Sequence, residues 1–218
     1  MSNSVTHSSL FGHTARRVLL AALLVGSVVQ SGCAVVAVSG FTAGALAISD
    51  RRTIGAQTED QGIEIKAMQH LSQLSSAGNI SVTSFNRKVL LSGQAENDKI
   101  RREAAGIVSR IENVKMVHNE LVVGPKSSLT TRANDAGLTT RIKAMMLDAK
   151  DLQANTIKVI TENNVAYLMG IVTRAEGDRA AMVASRVSGV RRVVTVFEYV
   201  SPDELARIQR ALKGESSR

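Results

Sequence analysis

The chain has 218 residues, so it holds one medium domain or two small ones. Its 27 Lys and Arg against 19 Asp and Glu give a formal net charge of +8, and an apolar share of 44% argues against global disorder. Six aromatics without Trp, a single Cys and four scattered His (7, 13, 70 and 118) leave no stacking platform, no disulfide framework and no metal-ligand spacing.

Residues 1–17 lack acids and end in Arg16-Arg17, and Val18–Val29 is an apolar run followed by Ser31-Gly32-Cys33. A positive flank, a short apolar core and small residues at the cut form a secretory signal. The lone cysteine stands where a bacterial lipoprotein signal places the thiol that takes a diacylglyceryl group, with Gln30 in place of the usual Leu three positions earlier. We therefore expect residues 1–32 to be a signal peptide, Cys33 to be lipidated and 33–57 to be an anchor and flexible linker. The competing reading is an uncleaved membrane anchor, because no charge occurs between Val18 and Ser49. Ala34 after the cysteine, rather than Asp, fits sorting to the outer membrane.

The remainder contains an internal repeat. Ile65-Lys-Ala-Met68 recurs as Ile142-Lys-Ala-Met145, and the same offset of 77 carries Ile80 to Ile157, Leu91 to Leu168 and Gly93 to Gly170. After one gap an offset of 76 carries Ala104-Ala105 to Ala180-Ala181 and Val114 to Val190. A period this long indicates a duplicated small domain rather than a solenoid.

Each copy opens with a helical segment, then an alternating strand, a turn at Asn86-Arg87 or Asn163-Asn164, and a second strand ending at Gly93 or Gly170. A second helix, about 98–111 or 175–187, leads to a third strand, about 115–122 or 191–200. The expected fold class is α+β: two tandem α-β-β-α-β modules, each a three-stranded mixed sheet with two helices on one face. Module one is placed at 58–124, a linker at 125–135 and module two at 136–201. Residues 202–218 form an amphipathic C-terminal helix and tail, begun by the capping sequence Ser201-Pro-Asp-Glu204 and ended by Gly214. Modules this small are marginal alone, so the two should pack together or lean on a partner. Gly93 and Gly170 are read as structural glycines, at a strand-end turn or a close helix approach.

Charge is uneven between the copies. Residues 58–124 hold eight basic and eight acidic side chains, whereas 125–201 hold eleven basic and seven acidic. With Leu138, Ile142, Met145 and Ala149 turned inward, the first helix of module two presents Lys143, Met146 and Lys150 along one edge and Leu147 beyond it. Lysine stems beside exposed apolar groups suit shallow insertion at an anionic bilayer surface. The alternatives are an ordinary solvated face, or a Leu147 that covers the other module or the C-terminal helix. Arg141 is placed near Asp148 as a surface ion pair. No nucleophile–base constellation, cofactor motif or metal site is present, so an enzyme is not expected. Nucleic acid is a poor partner for an exported chain with few aromatics.

Ser31-Gly32-Cys33, Asp50-Arg51-Arg52-Thr53-Ile54-Gly55, Thr161-Glu-Asn163, Leu168-Met-Gly170 and Ala184-Ser-Arg-Val-Ser-Gly-Val190 together resemble the dual BON-domain lipoproteins of the bacterial outer membrane. The resemblance covers about 33–200. It implies a non-enzymatic, periplasm-facing, lipid-anchored protein that binds anionic phospholipid through the first helix of the second module. It also implies support of outer-membrane integrity, at the division site. A protein-interaction scaffold for envelope or outer-membrane assembly machinery, without lipid recognition, is the alternative. Gly137 stands where the family pattern carries an aromatic.

Overall fold

The computed structural model describes residues 50–74 and 79–215. The expected signal peptide, Cys33 and residues 33–49 lie outside them. Helix α1 (Ile54–Leu71) leads to the antiparallel hairpin β1 (Asn79–Phe85) and β2 (Lys88–Ala95). Helix α2 (Asp98–Ser109) then crosses to β3 (Met116–Asn119) and β4 (Val122–Val123), both parallel to β2. The second module repeats this with α3 (Leu129–Asp148), a 3-10 turn at Ala154–Thr156, β5 (Lys158–Glu162), β6 (Val165–Val172), α4 (Arg174–Ser185) and β7 (Arg192–Tyr199). Helix α5 (Pro202–Glu215) follows. β5 is antiparallel and β7 parallel to β6.

Both hairpins turn through Asn-X pairs with positive φ, at Asn86 and Arg87 and at Asn163 and Asn164. Helix starts are fixed by side chains that accept orphan amides: Thr53 from Ala56, Asn97 from Ile100, Ser128 from Thr131, and Thr173 from Glu176. Ser201 likewise accepts from the Glu204 amide, and α5 continues past Gly214 to Glu215.

Period-two alternation sorts each strand's residues between two cores. Val89, Leu91 and Ala95 face α1 and α2, packing with Ile63, Ala67, Leu71, Ala104 and Val108. Ala166, Leu168 and Val172 face α3 and α4, packing with Leu138, Ile142, Met146, Ala180 and Ala184. The intervening residues meet in a third core, where Phe85 and Leu90 pack on Tyr167, Met169, Ile171 and Val196, with Ile208 of α5 against the cluster. The two sheets therefore lie face to face, with a helical layer outside each. Burial, reinforced by Glu120, pushes the Tyr167 phenol in this layer up to about 12.

Four expectations are corrected. The repeat is offset by 75, not 77, within the first helices: buried Asp60, Ile63, Ala67 and Leu71 correspond to Asp135, Leu138, Ile142 and Met146. The Ile-Lys-Ala-Met match therefore joins unlike positions, because Ile65 is 52% exposed and Ile142 is fully buried. The two extra residues of module two lie in the connection that contains the 3-10 turn. Second, the expected linker 125–135 is helical from Leu129 onward, because Ser128 caps there. Third, module one's last strand is broken at Glu120-Leu121, so its sheet counts four strands. Fourth, residues 50–57, expected as flexible linker, hold the buried Arg51 and the first turn of α1.

Candidate functional site

The outer edge of α3 is the candidate. At 100° per residue, Leu129, Arg132, Ala136, Lys143 and Leu147 share one edge, away from the buried Asp135, Leu138, Ile142 and Met146. Lys143 is exposed, and Leu147 is 62% exposed, unusual for a leucine beside lysines. Lys150 is also exposed, but it lies beyond the helix, which ends at Asp148 with Ala149 as its cap. A shallow groove next to this edge is lined by Lys143, Leu147, Ala154, Asn155 and Ile157.

Met146 is a correction. It is 1% exposed in the module-two core, and Met145 is the half-exposed methionine instead. Both continue the Leu138–Ile142 stripe, one at a step of four and the other at three; the inward step is four. Arg141 lies on the opposite edge beside Gly189 rather than paired with Asp148. Nearby Asp151 is engaged by Arg179 at 2.8 Å. The exposed part of α3 thus carries Arg132, Arg141 and Lys143 against the single carboxylate of Asp148.

Three buried or half-buried carboxylates pin the local structure of the two modules, and none of them was given a structural role from sequence. Asp135 accepts from the Asn163 and Asn164 amides, at 2.8 and 2.9 Å, fixing the β5–β6 hairpin to α3. Asp60 does the same in module one, accepting from the Asn86 and Arg87 amides, the Ser84 hydroxyl and the Arg52 guanidinium. Burial opposes the charged form of Asp60, but these donors outweigh it and hold the carboxyl below the usual range. Glu176 is likewise held low: burial is overcome by Arg51 and by the Thr173 amide. Arg51, 4% exposed, donates to both Glu176 oxygens (2.6 and 3.0 Å), to Gln153 Oε1 (3.1 Å) and to the Ile171 carbonyl (2.7 Å). The signal for Asp60 and Asp135 was available: each is an acid at an inward helical position, ahead of a positive-φ Asn hairpin. For Arg51 the sequence offered only its place in the Asp50–Gly55 motif and no hint of its partners, which lie over 100 residues away.

Gly93 sits within β2 against its antiparallel partner β1, and Gly170 sits within β6 beside Thr156, the last residue of the 3-10 turn. A Cβ on Gly93, whose φ is +101°, would stand 1.9 Å from the Asn79 carbonyl oxygen; on Gly170 it would stand 2.9 Å from that of Thr156. His118 is half-buried, and burial and Lys88 lower its pKa against the opposing pull of Glu120. Among the described residues no three His, Cys, Asp or Glu side chains gather as metal ligands, and no helix is long and apolar enough to cross a membrane.

Comparison with known proteins agrees with this duplicated architecture. The chain is 35% identical over 184 residues to outer membrane lipoprotein DolP of Haemophilus influenzae, covering 83% of this chain and 95% of that protein. It is 36% identical over 154 residues to the 21 kDa hemolysin of Actinobacillus pleuropneumoniae, covering 69% and 79%. It is 33% identical over 118 residues to osmotically-inducible protein Y of Escherichia coli, covering 53% and 59%. The profile of the BON domain matches twice, at residues 59–125 and 134–201. The chain belongs to the BON-domain family and carries two copies of the domain in tandem.

Proposed function

We propose that this protein is a non-enzymatic lipoprotein of the outer membrane, acylated at Cys33 and facing the periplasm, whose second module binds anionic phospholipid and thereby supports membrane integrity, including at the division site. The observation that carries the lipid reading is Leu147, exposed on the helix edge it shares with Lys143, with exposed Lys150 just past the helix end. Lysine heads reach phosphates while Leu147 enters the headgroup layer. The likeness to an outer membrane lipoprotein supports the location.

Co-sedimentation of the mature chain, with Cys33→Ser to remove acylation, tests the binding. Anionic phosphatidylglycerol vesicles should retain it and phosphatidylcholine vesicles should not, with retention weakening as salt rises. Each basic side chain near the surface contributes about 1 kcal/mol, so Lys143→Ala with Lys150→Ala should weaken binding about thirtyfold. Binding unchanged in that double variant rejects the assignment.

A second reading, a scaffold for envelope assembly proteins, is favoured by module one. There Ile54, Ile65 and Met68 are exposed on α1, and Met68 holds the position equivalent to Lys143. Retention that ignores headgroup charge and salt would favour it.

A further inference from the structure

Residues Asp50 to Arg52 form a strap with two grips. Arg52 holds module one, donating to Asp60 at 2.7 Å, pairing with Asp50 and lying 4.0 Å over the Phe85 ring. Arg51 holds module two through Glu176, Gln153 and the Ile171 carbonyl. Gln153 immediately precedes the 3-10 turn whose Ala154 and Asn155 line the groove beside Lys143 and Leu147. The strap, from Asp50 onward, therefore sits beside the C-terminal end of α3. We propose that it orients the anchored protein, so that a lipid held at Cys33 and the Lys143–Leu147 end of module two meet the same bilayer. This rests on the reading that Cys33 is anchored and that this edge meets lipid.

Reach makes the exit point matter. Sixteen residues lie between Cys33 and Asp50, and the seventeen steps span at most about 58 Å when fully extended. A globular body of this size is about 40 Å across. A segment leaving elsewhere would spend most of its reach travelling around the body before Leu147 touched the membrane. Leu129 and Leu147 lie on one edge of α3 and are both exposed, about 27 Å apart along the axis. They are matched reporters for the two ends.

The chain has one cysteine and no tryptophan, which makes the test clean. The mature chain is coupled through Cys33 to a maleimide lipid in phosphatidylcholine vesicles bearing a nitroxide on the headgroup, where no anionic attraction contributes. Tryptophan is introduced as Leu147→Trp or as Leu129→Trp. Quenching should be at least twofold stronger at position 147; equal or reversed quenching overturns the proposal. Adding Arg51→Met with Arg52→Met should bring the ratio towards one, and a ratio that stays high in the folded double variant also overturns it. Where that variant fails to fold, Glu176→Gln, isosteric and still able to cap α4, takes its place with the same expected direction and the same overturning result. The uncoupled Leu147→Trp chain on phosphatidylglycerol vesicles isolates the underlying reading: no signal there, with the coupled ratio intact, rejects lipid recognition while leaving orientation standing.

Discussion

At the scale of single residues, buried carboxylates and strand glycines set the most sensitive positions. Asp60 has a folded-state pKa below its unfolded value, so its stabilisation is present above about pH 4 and is lost as pH falls through the folded-state value. Glu176 acts in the same direction. Denaturant melts at pH 7 and pH 3.5 should show this loss, and Asp60→Asn should be less stable at pH 7 yet show a flatter acid limb. Gly93→Ala should cost about 3 kcal/mol or more, because strained φ and a carbonyl clash coincide, and Gly170→Ala should cost less, about 1–2 kcal/mol. Equal losses in thermal melts would mean the strands can part at Gly93. Gly137 has open space where a Cβ would lie on α3. Gly137→Trp should therefore fold normally and tighten retention on anionic vesicles severalfold, read by co-sedimentation.

At the scale of elements, much was legible because hairpins and crossovers declare themselves locally. The Asn turns, the strand alternation and the 76-residue offset through the second helices all reappear in space. The first helices misled for a physical reason. Four identical residues in Ile65–Met68 and Ile142–Met145 suggest one register, yet burial follows the pattern Asp60-Ile63-Ala67-Leu71 and Asp135-Leu138-Ile142-Met146. Two adjacent methionines differ by 100° around α3, which is enough to exchange core for solvent, and Met146 went inward. Lys143 and Leu147 were legible on the exposed edge because their positions fall off the stripe under either register. The strap at Arg51 was not, since no local pattern records partners on another module. Asp135→Ala, which frees two turn amides, should destabilise module two by about 2–3 kcal/mol and increase amide exchange at Asn163 and Asn164.

At the scale of the molecule, the shared core of Phe85, Leu90, Tyr167, Met169, Ile171 and Val196 makes each module depend on the other. The chain should unfold in a single transition, coincident by far-UV circular dichroism and by probes placed in either module. Two resolved transitions would mean that this layer couples the modules weakly. Because the sheets occupy the middle, gene duplication has here produced an object with a front and a back. A flat surface can lie against α3 and α4 or against α1 and α2, never both at once. The copies are therefore not spare parts for one another: whichever side rests on a bilayer, its sister side, chemically different along Ile54, Ile65 and Met68, stays on display to the aqueous compartment.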